Sequence, residues 1–354
     1  MVTSPLLSPT PPSNDDVTFV LKSFPNKYPT NIYDVPPAET ALPESGVVVL
    51  IPGNPGLPAY YVPFLSDLRA QLRTWRIICI SQAGCEVTAT QLAYSCSTRY
   101  YGLKDQVQHK YEVIKTLLTE HGYTPTTEKK VVLMGHSIGC WLLQHSLIKL
   151  IADSYAEDAV KTPSLAILLF PTVKDIGDSS NGIRFRKVMK IFPFLPNAAS
   201  VGAYCLTACL PTSLLRRLIK CSMHDPPTHA LDATYSLLNS SACAYQCTRM
   251  GMEEMEEVRE EDPIMNQVFW AGNWGRHDGR PGKIIAYFAK DDHWVASRTR
   301  AQLFEAHSAR ANVELIITAD KDNCEHSFCV KQSEIMALHA YRWIVDYLGD
   351  EQQQ

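Results

Sequence analysis

The chain has 354 residues, 45% of them apolar and 20% charged, with a formal net charge of −4. That apolar share excludes a wholly disordered, collagen-like or coiled-coil chain. The length suffices to bury a large core without a disulfide or metal staple, and the slight acidic balance speaks against a general nucleic-acid binder.

In chain order, residues 1–40 read as a flexible leader and a first strand region. The start is rich in Pro, Ser and Thr and has no basic segment followed by an apolar run, so no signal peptide is expected. Residues 41–171 show a strand-then-helix rhythm. Gly46–Ile51 (GVVVLI), Trp75–Ile80 (WRIICI), 130–134 (KVVLM) and 165–170 (LAILLF) are short, nearly continuous apolar runs. Such runs suit strands covered on both faces. Leu103–Glu120 carries Leu103, Val107, Tyr111, Ile114, Leu117 and Leu118 on one helical face, and 138–151 is apolar nearly all round.

Residues 172–281 break the rhythm. They contain no convincing strand pair and read as a mostly helical cap inserted into the core. The rhythm resumes over 282–354, with strands at 283–289 (KIIAYFA) and 313–318 (VELIIT) and a closing helix at 333–348. The whole predicts an α/β fold with a mainly parallel central sheet and helices on both faces.

The 11 cysteines include no CxxC pair. Cys205/Cys209 and Cys243/Cys247 read as buried free thiols rather than zinc ligands. No metal and no cofactor are expected. The odd count without a secretory signal favours a reducing compartment. The acidic run from Glu253 to Asp262 reads as a solvated helix face or loop.

Gly135-His136-Ser137-Ile138-Gly139 is a GxSxG sequence between an apolar strand and an apolar helix. A sharp strand-to-helix turn there lifts the Ser137 hydroxyl above the sheet, with the helix N-terminus behind it. A serine hydroxyl is hardly ionised at neutral pH, so a nucleophilic role needs a base. In this architecture the acid and then the histidine follow the serine in sequence. His326 is the only histidine between the last strand and the closing helix, and is the candidate base. Asp291 and Asp292 both follow the 283–289 strand, and only one of them can face it. An oxyanion hole needs two backbone N–H donors. Ile138, after the serine, is one. The loop Pro52-Gly53-Asn54-Pro55-Gly56 follows the first core strand; Pro55 has no N–H, which leaves Asn54 as the other.

VVVLIPGNPGLPAYYVPFL, LKDQVQHKYEVI, LMGHSIGCW, LLFPT, YFAKDDHWV and EHSF occur here in one order. With them the chain resembles the lipid droplet-associated hydrolase family of the α/β-hydrolase superfamily. The match covers about two thirds of the chain, and the cap matches less clearly. The resemblance implies Ser137 as nucleophile and His326 as base. It implies Asp292 as acid through a Gly-x-x-Asp-x-Trp pattern ending at Trp294. The pattern's Gly is Ala289 here, and the usual Pro after the acid is His293. It further implies hydrolysis of lipid esters, sterol esters or acylglycerols, at lipid droplets and the endoplasmic reticulum. A second class of function is a droplet surface protein with little turnover, acting through its membrane segment and partners.

The apolar stretch of residues 191–215 lies within 184–220. It has no charged residue and is flanked by Arg184, Arg186, Lys187 and Lys190 before it and Arg216, Arg217 and Lys220 after it. Pro193, Pro196 and Pro211 interrupt it. Basic flanks on both sides favour both ends on one side of a membrane. A re-entrant or surface-lying hairpin on a droplet monolayer or the endoplasmic reticulum satisfies this; packing over the active site is the alternative. The groups expected to insert include Phe192, Phe194, Leu195, Tyr204 and Leu206.

Overall fold

Eight runs of chain pair into one sheet in the computed structural model. It describes residues 20–23, 29–86, 100–153, 159–260, 262–274, 280–320, 322 and 324–349. Most of the 1–40 leader (residues 1–19 and 24–28) and Cys96 lie outside the described residues. The strands are β1 (Val20–Ser23), β2 (Pro29–Val35), β3 (Gly46–Ile51), β4 (Trp75–Ile80), β5 (Lys130–His136), β6 (Leu165–Leu169), β7 (Lys283–Phe288) and β8 (Val313–Ile317). Their order is β1-β2-β4-β3-β5-β6-β7-β8. β1 and β2 pair antiparallel, β2 meets β4 antiparallel, and every later pair is parallel.

The apolar runs are continuous because both faces of the sheet are covered. In β3 all six residues are buried. Val47, Val49 and Ile51 pack among residues of α2 (Leu103–Glu120) and α3 (Ile138–Ala152), with Leu303 of a later helix on the same side. Val48 and Leu50 pack on the opposite side, with α1 (Val62–Gln71) and the closing helix. β2 is different. Its Thr30, Asn31 and Asp34 interrupt any apolar pattern, and each is tied to a partner. The Asn31 N–H donates to Ser81 Oγ at 3.1 Å, Arg76 Nη1 donates to Asp34 at 2.7 Å, and Thr30 Oγ1 lies 2.7 Å from His109 Nε2. Paired polar groups let a strand form where hydropathy gives no sign of one.

Between β6 and β7 the described residues form an inserted cap containing the α-helices α4 (Ser180–Ile191), α5 (Leu195–Cys209), α6 (Thr212–Ser222), α7 (Thr228–Leu238) and α8 (Ser241–Glu257). After β7 come α9 (Ser297–His307), α10 (Phe328–Lys331) and α11 (Ser333–Gly349). α8 joins the cap to the core. Gln246 exchanges hydrogen bonds with the Tyr101 backbone at 3.0 and 2.8 Å, and Glu253 accepts from the Leu103 N–H at 3.1 Å and from Tyr100. The run starting at Glu253 is therefore not simply a solvated face. Glu253 binds the first turn of α2 and Glu254 is buried, because α8 turns that side toward the core.

The cysteine expectation also needs correction. Cys243 is buried and Cys247 half-buried, but Cys205 and Cys209 lie exposed on α5. The cap also exposes large apolar groups. Phe194 is 76% exposed, Ile191 69% and Phe192 59%, and Tyr204 and Leu206 are also exposed. Leu195, by contrast, packs against the core. Among the described residues no single helix is long and apolar enough to cross a membrane; α4 and α5 meet at 91°. The bend falls at Pro193, where a helix cannot continue without losing a backbone hydrogen bond.

Candidate active site

Parallel strands place their following loops along one edge of the sheet, and the candidate residues come from four of these loops. Asn54 follows β3, Ser137 follows β5, Asp292 follows β7 and His326 follows β8.

Ser137 sits at the expected turn, with φ 53° and ψ −126°. Such a conformation is costly for a residue with a side chain and persists only when the surroundings enforce it. Here the enforcement is close packing. A Cβ on Gly139 would lie 2.2 Å from the Ile51 carbonyl oxygen, and one on Gly135 would lie 2.7 Å from the Gly139 carbonyl oxygen. The two glycines let β5 turn into α3 against the end of β3. Ile138 is the first residue of α3, so its N–H has no carbonyl within the helix to bond.

His326 Nδ1 lies 2.9 Å from Asp292 Oδ2, and His326 Nε2 lies 2.9 Å from Ser137 Oγ. A carboxylate only accepts, so Nδ1 carries the hydrogen and Nε2 is left to accept from the serine hydroxyl. The Asp292 side chain is only 2% exposed. Burial alone would raise its carboxyl. Hydrogen bonds from His326 and from the Trp294 and Val295 N–H groups outweigh that and hold it below the ordinary carboxylate value. The structure thus brings together Ser137, His326 and Asp292, in the geometry a nucleophile, base and orienting acid require. Asp291 is exposed. His293, at the position of the usual proline, accepts the Asn181 N–H at 2.9 Å through its carbonyl and so ties the acid's loop to the start of α4.

Two residues beyond the candidates complete this site. His136 Nε2 donates to the His326 carbonyl at 2.8 Å, and His136 Nδ1 accepts from the Tyr61 hydroxyl at 2.6 Å. The Tyr61 oxygen in turn accepts the Gly53 N–H at 3.0 Å. Burial, then the nearby His326, push His136 down to about 3, so it stays neutral and its two ring nitrogens keep one donor and one acceptor role. The relay joins the loop bearing Asn54 to the backbone of His326. Nothing in the sequence marks it except that His136 occupies the variable position of GxSxG. Tyr61→Phe removes the donor to His136 and the acceptor of Gly53 together. We expect a loss of about 1–3 kcal/mol in stability, from buried groups left unpaired. Thermal melting should show it, and kcat should fall more than KM rises.

Asn54 shows its side chain to the cap. Its Nδ2 donates to the Cys247 carbonyl and to Glu254 Oε1, both at 2.9 Å. Ser137, His326, Asn54 and Glu254 line a cavity of ≈ 310 Å³ whose apolar wall includes Ile176, Phe185, Met255 and Trp294. A cavity of this kind buries an apolar chain and fixes its orientation through a few polar groups.

A model of the lipid-droplet associated hydrolase family matches residues 44–329. The chain is similar to the lipid droplet-associated hydrolase of Mus musculus, 23% identical over 310 residues that cover 84% of each chain. It is similar to that of Drosophila melanogaster, 30% identical over 169 residues, 46% of this chain and 50% of the relative. Among solved structures it is similar to a soluble variant of monoglyceride lipase from Saccharomyces cerevisiae, with a TM-score of 0.54 and 11% identity over 94% of this chain and 95% of that one. A structure from work on carboxylesterases of Nitrososphaera gargenis aligns with a TM-score of 0.55 and 15% identity, over 94% and 100%. These structural likenesses show the fold. The fold, the matched length and the relatives agree: this chain belongs to the lipid-droplet associated hydrolase family and has the α/β-hydrolase fold.

Proposed function

We propose that the protein is a serine hydrolase of lipid carboxylic esters that works at the surface of a lipid droplet or of the endoplasmic reticulum. The observation that carries this reading is the pair of 2.9 Å hydrogen bonds linking Ser137 to His326 and His326 to Asp292 beside an apolar cavity. Ser137 Oγ attacks the ester carbonyl while His326 Nε2 takes its proton. The Ile138 and Asn54 backbone N–H groups receive the developing oxyanion. His326 then protonates the departing alcohol, and water, activated by the same nitrogen, releases the acid from the acyl-enzyme. Asp292 holds the imidazole in the required tautomer and stabilises its charged form.

The site of action is supported by the outer face of the cap. Ile191, Phe192 and Phe194 are exposed, as are Arg184, Lys187 and Lys190 shortly before them in the chain and Arg217 on α6. Apolar groups that enter a monolayer and cations that meet anionic headgroups suit one surface. The test of the hydrolase reading is labelling by a fluorophosphonate, together with a panel of acylglycerols and sterol esters. Wild type should react and turn over esters, and Ser137→Ala should do neither. Equal labelling of the two would end the reading and leave a surface protein with the hydrolase fold.

A further inference from the structure

Glu254 is a carboxyl group on the cavity wall that the hydrolysis does not use. It is 4% exposed and lines the same cavity as Ser137 and His326. Its Oε1 accepts the Asn54 amide. Among the described residues its Oε2 has no hydrogen-bond partner. The other buried polar groups of the wall are spent. Tyr60 bonds Thr234, Tyr61 bonds His136 and Gly53, and both Asn54 amide hydrogens are used.

Burial pushes the Glu254 carboxyl up to about 8; the Asn54 hydrogen bond lowers it and neighbouring Glu253 raises it. At neutral pH it is mainly the acid, and its O–H, on the cavity wall, has no acceptor among the described residues. A polar group on an otherwise apolar cavity wall is what fixes a ligand's orientation, so this donor points to a ligand oxygen. Asn54 also fixes where that oxygen lies. Its backbone N–H is the proposed second oxyanion donor, while its side chain grips Glu254. The carboxyl therefore stands beside the place of the scissile ester rather than at the far end of the acyl chain.

We propose that Glu254 donates a hydrogen bond to a second oxygen of the substrate, near the scissile ester, and so selects acylglycerols over sterol and simple alkyl esters. This rests on the hydrolase reading above. A glyceride carries a hydroxyl or another ester two carbons from the scissile oxygen. A sterol ester has no such group and leaves the donor unpaired, which is the kind of loss by which enzymes reject analogues lacking a bonded group.

The test is a matched pair of substrates, 2-methoxyethyl oleate, whose ether oxygen can only accept, and butyl oleate, in the same detergent micelles. Wild type should prefer the ether-bearing ester by about tenfold or more in kcat/KM, the scale of one hydrogen bond to a buried group. Glu254→Leu should bring the ratio close to one. Glu254→Gln keeps an acceptor for Asn54 and an N–H donor for substrate, and should hold the ratio within about threefold of wild type. A role limited to positioning Asn54 would slow both esters alike and leave the ratio unmoved.

The wild-type ratio should also fall as pH rises through about 8, where Glu254 loses its proton, and Glu254→Gln should show no such fall. The other titratable groups on this cavity are Tyr60, Tyr61, His136, Cys247, His326 and Cys329, and Glu253 adjoins Glu254 on α8. Their ionisation acts on both esters and divides out of the ratio. A wild-type ratio near one, or an unchanged ratio in Glu254→Leu, overturns the proposal while hydrolysis itself stands. Absence of Ser137-dependent hydrolysis of either ester, with no fluorophosphonate labelling, overturns the hydrolase reading and this proposal with it.

Discussion

Ser137→Ala should lower kcat for any ester by on the order of 10⁶-fold, leaving only what the oxyanion donors and binding supply. His326→Ala should cost nearly as much, because serine and base act as one unit and removing either disables both. Asp292→Asn should cost less, about 10⁴-fold, since it leaves the geometry but offers His326 the wrong hydrogen-bonding partner. Asp291→Asn should be nearly silent, because Asp291 is exposed and His326 bonds its neighbour. Single-turnover measurement with a chromogenic ester separates these cases. If Asp291→Asn is the damaging change and Asp292→Asn is mild, the acid is one residue earlier than the structure places it.

The second large effect concerns the surface of the cap. Replacing Ile191, Phe192 and Phe194 with Ser should release most of the protein from lipid. Each large apolar side chain that inserts fully contributes about 1.5–3 kcal/mol. Three of them together amount to on the order of a thousandfold or more in partition, since about 1.4 kcal/mol is tenfold. Lys and Arg near anionic headgroups add about 1 kcal/mol each, reduced by salt. Leu195 is left unchanged because it packs on the core and its loss would confound binding with folding. Flotation with artificial droplets carrying an anionic phospholipid monolayer gives the bound fraction, and thermal melting checks the fold. A folded triple variant that floats like wild type places the anchor elsewhere in the chain.

What the sequence disclosed follows from how strongly each feature is forced by local chemistry. β3, β4, β5, β6 and β7 are buried mostly on both faces, so their runs are nearly all apolar and stand out; β8 is partly open and carries Glu314, yet Val313, Leu315, Ile316 and Ile317 still mark it. β2 is not legible, because the Thr30 and Asp34 side chains are satisfied by His109 and Arg76, and the Asn31 backbone N–H by Ser81, from distant parts of the chain. Ser137 is legible because the turn that holds it demands glycine at Gly135 and Gly139. The choice between Asp291 and Asp292 is not local. It depends on which carboxylate the loop after β7 turns toward a histidine that lies 34 residues on. Tyr61 and Glu254 escaped for the same reason. An aromatic residue near a proline and a glutamate in an acidic run look ordinary until the fold sets them beside His136 and Asn54.

The relay that holds His136 also determines how the enzyme responds to acid. Two imidazoles lie with ring centroids 5.2 Å apart, and in most settings such a pair would titrate together and blur one another's transitions. Here one of them donates to a carbonyl and accepts from a phenol inside the core, and it is pushed down to about 3. It is a spectator throughout the range in which its neighbour gains a proton. His136 should then contribute no proton to the acidic limb of the rate profile.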